Sequence, residues 1–172
     1  MVGWCRMTLL VLFVALAIGV SFVCSIMEAV VLSVTPGYLA SIRESRPKTE
    51  RRLRRFKENI DKPLAAILSL NTIAHTVGAA GAGAQAAKVF GNTWLGLFSA
   101  LLTLAILFLS EIIPKTIGAV YWKQLAPPVT RLMTWLMVPL MPLVWLSGLA
   151  SRLISSSHNP VHVSRDEIRA LA

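Results

Sequence analysis

Charge is scarce in this sequence. Asp, Glu, Lys and Arg make up 15% of the 172 residues, against 55% hydrophobic, and the mean hydropathy is +0.66. A soluble domain of this size carries about a quarter charged residues, so an ordinary water-soluble globule is excluded. Acidic residues are scarcest, eight against seventeen Lys and Arg. Cysteine is nearly absent. Cys5 and Cys24, in or beside the first apolar run, offer neither a disulfide framework nor a zinc site, and as small apolar residues they need no further role. Sulfur ligands and paired histidines, which would favour zinc or copper, are missing. So are a nucleophile–base pairing and a metalloprotease motif, and no enzyme is expected.

What the chain has instead is long apolar runs. Three of them, about 9–34, 64–84 and 94–114, are each long enough to cross the roughly 30 Å of bilayer hydrocarbon. The predicted fold class is an all-α integral membrane protein, with three transmembrane helices plus juxtamembrane or interfacial helices on the cytoplasmic side. The first run continues through Val30, Val31 and Leu32, past the length of a secretion-signal core, so it is expected to stay in the membrane. Between the first two runs, Arg43–Lys62 holds nine basic and four acidic residues. A basic loop there marks the cytoplasmic face, which puts the N-terminus outside, the C-terminus inside, and the protein in the plasma (inner) membrane. The loop has no aromatic interleaving and no recognisable module, so nucleic acid is not an expected partner. Membrane lipid is, through anionic headgroups.

The second helix is expected to open near Pro63, where a missing N–H costs nothing. A connection over about 85–93, with Gly91-Asn92 as turn signal, leads to the third. The stretch 129–154, opened by Pro127-Pro128 and interrupted by Pro139 and Pro142, has basic flanks at both ends. It reads as helices at the inner interface anchored by Trp122, Trp135 and Trp145, with a fourth span as the alternative. In the tail, Ser164 and Glu167 form a capping box, so a helix begins there. The expected organisation is a transmembrane domain over 1–125, juxtamembrane helices over 126–155, and over 156–172 the start of a cytoplasmic region missing from this chain.

Two acidic residues outside the loop and tail, Glu28 and Glu111, fall in or at the inner ends of spans. Ionisable groups there are costly and mark functional sites by default. Ser21, Ser25 and Glu28 stand at i, i+4 and i+7, which puts two hydroxyls and a carboxylate on one helical face. The second span carries Ser69 and Asn71, with His75 a turn beyond as a polar packing residue. The third carries Ser110-Glu111-Ile112-Ile113-Pro114-Lys115. Pro114 has no N–H for the carbonyl four residues back, which leaves the Ser110 C=O bare beside Glu111. Together these are hard oxygen donors of the kind Mg²⁺ takes. Structural readings stand beside the functional one. The serines can bond their own i−4 carbonyls, Asn71 can join helices, Lys115 can pair with Glu111, and Glu28 can pair with the basic loop. The small residues Gly78, Gly81 and Gly83 suit close helix packing, within the chain or in a dimer.

Ser25-Ile-Met-Glu28-Ala followed by Leu32-Ser33, then Leu70-Asn71-Thr72, then Ser110-Glu111-Ile-Ile-Pro114-Lys115, resemble the transmembrane domain of the cyclin M/CorC family of Mg²⁺ transporters. The resemblance covers about residues 5–155. It implies a homodimer and Mg²⁺ export, with Na⁺ as the candidate exchange ion, through a site near mid-membrane. It implies Ser21, Ser25, Asn71 and Glu111 as metal ligands, helped by backbone carbonyls, with Glu28, Ser69, Ser110, Pro114 and Lys115 as candidates for support or gating. In the family the tail leads into a helical bundle and an ATP-binding CBS pair, a module absent from this chain. Met27 stands where relatives usually have a small or polar residue, and His75 where many have a second Asn. The alternative function is a membrane Mg²⁺ sensor or adaptor that binds the ion without carrying it; flux separates the two.

Overall fold

A computed structural model describes residues 2–142 and 145–146. Among them there are helices and turns but no strand. The first helix, α1, runs from Val2 to Ser33, through the longest apolar run, and Pro36 follows its end. The last carbonyls of a helix have no partner within it, and here a side chain from the basic loop supplies one. Lys57 Nζ lies 3.5 Å from the Val31 oxygen and 3.3 Å from the Leu32 oxygen, a cation at the negative end of the helix dipole. Thr35 then caps α2 (Pro36–Ser41) by accepting the Tyr38 N–H.

The loop is itself helical. Helix α3 (Pro47–Glu58) buries Glu50, Leu53 and Phe56 on one side and exposes Lys48, Arg51, Arg52 and Arg55 on the other. Glu50 can be buried because Arg54 Nε donates to its carboxylate at 2.7 Å. Leu53 and Phe56 join the cluster at the C-terminal end of α1, formed by Met27, Val30, Val31, Leu39, Ile67 and Met133. The positive loop is therefore packed onto the end of the first span.

Among the described residues, three helices are long and apolar enough to cross a membrane: Trp4–Ser33, Asp61–Phe90 and Asn92–Val120. The second is α4 (Asp61–Phe90). The third is composite: α5 (Asn92–Ala105), a π-helical segment (Ile106–Ile112) and α6 (Ile113–Val120). The expected connection over 85–93 is not a loop. Helix α4 continues to Phe90, α5 starts at Asn92, and Gly91 alone separates them with φ +77°, a backbone conformation open to glycine at little cost.

Packing of α4 on α1 depends on glycine. A methyl group at Gly78 would come within 2.5 Å of the Ala17 Cβ, and one at Gly81 would strike the Phe13 ring. Those two glycines serve contact within the chain, while Gly83 has open space beside it. Gly118 of α6 sits against Ala29 and the Ile26 carbonyl in the same way. Overpacking of such a seam costs about 1–3 kcal/mol. Gly78→Leu is thus expected to lower stability by at least that much, read as loss of helical signal on heating in detergent. An unchanged midpoint would mean that α1 and α4 do not meet there.

Helix α7 (Trp122–Met137) starts before Pro127-Pro128, not at them, and carries both prolines inside. Pro127 cannot donate to the Lys123 carbonyl; the Tyr38 hydroxyl does so instead, at 3.0 Å. The Tyr38 ring packs edge-on to Trp122. At 16 residues α7 is shorter than a span. It buries Ala126, Val129, Thr130 and Met133 against the cluster at the end of α1, while Trp135 is 81% and Trp145 71% exposed. Most of the expected second half of 129–154, and the whole tail with its capping box, lie outside the described residues.

Candidate functional site

The site begins with Pro114. Lacking an N–H, it breaks the i−4 ladder of the third span, and the helix responds by widening. The Ile113 N–H reaches five residues back, to the Phe108 carbonyl, which is π geometry. Ser110 lies on this widened turn, fully buried. Its carbonyl is not bare, as the missing N–H alone suggested. Ser25 Oγ donates to it at 2.6 Å and Ser21 Oγ at 3.4 Å, both from α1 and both buried. The two α1 serines thus bond across the helix interface rather than to their own backbone. Ser110 Oγ returns to its own Ile106 carbonyl at 2.6 Å. The i, i+4 spacing of Ser21 and Ser25 is what lets both reach one oxygen.

From α4, His75 enters this cluster. Its Nε2 lies 2.7 Å from Ser21 Oγ, and its Nδ1 lies 3.8 Å from Glu111 Oε1. The imidazole therefore sits between two of the expected ligands, one on α1 and one on the third span. Asn71 stands four residues before His75 and shares its helical face. Its Oδ1 is buried and has no hydrogen-bond partner. An acceptor in that condition costs about 1–3 kcal/mol unless something pairs with it. Among the described residues, no three or more of His, Cys, Asp and Glu gather where they could hold a metal. The groups gathered here are hydroxyls, an amide oxygen, an imidazole and one carboxylate.

The remaining candidates arrange themselves differently from expectation. Glu28 does not pair with the basic loop, and Lys115 does not pair with Glu111. They pair with each other, Lys115 Nζ to Glu28 Oε2 at 3.3 Å, joining α1 to α6. Glu28 is seven residues from Ser21, about 10 Å of helix rise, so this pair lies beyond the hydroxyl cluster. Among the described residues Ser69 is half-buried and makes no side-chain hydrogen bond, and Thr72 turns back to its own Leu68 carbonyl.

A three-helix membrane unit whose third span breaks at Glu-Ile-Ile-Pro-Lys can be compared directly with known proteins. Residues 11–172 match the family model described as the cyclin M transmembrane N-terminal domain. The chain belongs to the cyclin M family. It is 34% identical over 126 residues to a UPF0053 protein of Synechocystis, covering 73% of this chain and 36% of that one. It is 25% identical over 107 residues to the UPF0053 inner membrane protein YfjD of Escherichia coli, covering 62% and 25%. A chloroplastic DUF21 domain-containing protein of Arabidopsis thaliana is 25% identical over 165 residues, covering 93% and 25%. The chain spans about a quarter to a third of the length of these curated relatives.

Within this cyclin M domain, the structure brings His75, read from the sequence as a polar packing residue, between Ser21 and Glu111. One signal was available. His75 is i+4 from Asn71, so any reading that turns Asn71 toward the other spans turns His75 with it.

Proposed function

We propose that this domain carries a divalent cation, Mg²⁺, across the bilayer. One observation carries the reading: the buried, unpartnered Asn71 oxygen, on the helical face whose His75 meets Ser21 and Glu111. A buried acceptor without a donor has the right chemistry for a cation. Ser21, Ser25, Asn71 and Glu111 are the proposed ligands, with the Ser110 carbonyl beside them. Mg²⁺ holds its waters tightly and takes one or two carboxylates, so a site of one carboxylate and neutral oxygens can bind it and still release it. Export, with inward Na⁺ as the exchange ion, is the proposed direction. A homodimer in the plasma (inner) membrane, with the N-terminus outside and α3 and α7 at the cytoplasmic face, is the proposed arrangement. The uncompensated cations of α3 support that orientation.

The test is Mg²⁺ flux into liposomes containing the purified protein, followed with an entrapped Mg²⁺ indicator, with and without an opposing Na⁺ gradient. Flux above protein-free liposomes is expected, and its rate should rise with the gradient. Mg²⁺ binding without flux would replace transport by the sensor or adaptor reading.

A further inference from the structure

The cations of the basic loop are gathered rather than scattered. Lys48, Arg51, Arg52 and Arg55 stand at i, i+3, i+4 and i+7 of α3, which is one helical face, and all are exposed. Together they line an open hollow of about 260 Å³. A second hollow, of about 560 Å³, is lined by Arg46, Pro47, Lys48 and Thr49 together with Pro127 and Arg131 of α7. Lys48 belongs to both, so the two hollows adjoin. Among the described residues none of these Arg and Lys side chains is in an ion pair. Glu50, on the other side of α3, is taken by Arg54, and Glu44, Glu58 and Asp61 line neither hollow. Like charges three and four residues apart repel on a helix. The fold therefore keeps this face together at a cost that a bound anion removes.

Helix α7 sets the depth of the larger hollow. Pro127, Arg131 and Trp135 stand at i, i+4 and i+8, along one face of that helix, and Trp135 is exposed. An exposed tryptophan on a helix at the membrane border sits at the level of the lipid headgroups. Arg131 shares that level, and the hollow it lines opens there. The anion within reach is the phosphate of a phospholipid. Basic pockets on the cytoplasmic side of membrane helices take headgroups of high charge, those with more than one phosphate among them.

We infer that the α3–α7 face binds one phospholipid headgroup bearing two phosphates, one in each hollow, with Lys48 between them. Arg51, Arg52 and Arg55 hold the phosphate in the smaller hollow, and Arg46 and Arg131 the phosphate in the larger. The inference takes from the arrangement proposed above only that α3 and α7 lie at a membrane face. It does not depend on the cation site.

The test is lipid retention by the full chain in detergent, read by native mass spectrometry. Cardiolipin is the two-phosphate probe and phosphatidylglycerol the one-phosphate probe, compared at equal phosphate. Cardiolipin should bind at least about tenfold more tightly. A cation near a lipid surface is worth about fivefold in affinity, so Arg131→Gln and Arg51→Gln should each weaken cardiolipin by about that factor. Lys48→Gln should remove most of the preference over phosphatidylglycerol. Arg43→Gln and Lys62→Gln change exposed cations that line neither hollow, and should shift binding by less than about twofold. All of these side chains are exposed, so each variant should keep the helical signal of wild type on heating. Equal binding of the two lipids, or equal losses from Arg43→Gln and Arg131→Gln, would reduce the face to diffuse charge and overturn the site. Displacement of cardiolipin by equimolar inorganic pyrophosphate would make the occupant a soluble diphosphate, and displacement by polyglutamate an acidic protein; either overturns the lipid assignment. Retention is read in detergent without regard to flux, so failure of the transport reading leaves this one standing.

Discussion

Glu111→Gln is expected to cut Mg²⁺ flux through reconstituted protein by at least about a hundredfold, because it removes the formal negative charge facing the cluster. Glutamine preserves the length of the side chain and one oxygen donor, so the change isolates charge from shape. Glu28 cannot substitute, since Lys115 holds it at the far end of the α1–α6 contact. The fold should survive. The nearest ionic partner of Glu111 is His75 at 3.8 Å, and the carboxylate is about a third exposed; loss of so loose a pair costs under about 1 kcal/mol. Thermal unfolding in detergent with a metal chelator present should therefore match wild type. Flux within tenfold of wild type would place the cation path elsewhere.

Asn71→Leu should separate function from stability even more sharply. The Asn71 oxygen is buried with no donor, so a leucine, branched at the same carbon, gives up no hydrogen bond there. It also relieves an unsatisfied acceptor worth about 1–3 kcal/mol. With metal chelated, the variant should unfold at the same temperature as wild type or above it. In flux it should fall by at least about tenfold, because a neutral oxygen ligand has gone and apolar bulk has replaced it. Dependence on Mg²⁺ supplies the cross-check: added Mg²⁺ should raise the unfolding midpoint of wild type and leave Asn71→Leu unmoved. A variant that loses several degrees in chelator would instead make Asn71 a packing residue between helices.

Much of the site could be read from one helix at a time. The 4-residue spacing of Ser21 and Ser25 gives a common face, and the missing N–H of Pro114 gives a freed carbonyl at Ser110. Spacing along one helix does not reveal what stands opposite, so it could not show that the freed carbonyl is the acceptor for those same hydroxyls. The structural alternative for Lys115, an i, i+4 pair with Glu111, is not formed for a physical reason. The i, i+4 rule assumes α-helical turns, but the π segment closes on the fifth residue, which moves Lys115 off the face of Glu111 and toward Glu28. The prolines misled in the same way. Pro127 looked like a helix start because its missing N–H orphans a carbonyl; Tyr38, 85 residues away, satisfies that carbonyl. The three spans were legible throughout, since nothing but bilayer hydrocarbon suits apolar runs of that length.

Gly91 bears on how the chain enters the bilayer in the first place. Helix α4 holds Asn71 and His75 and is the least apolar of the three membrane-length helices, so it partitions poorly on its own. A turn of one residue leaves no polar loop to be threaded across and no room for the two helices to arrive separately. The α4–α5 pair must cross as a hairpin, in which the more apolar third span carries the weaker second one into place. Asn71 and His75 are thus delivered by the more apolar span that follows them.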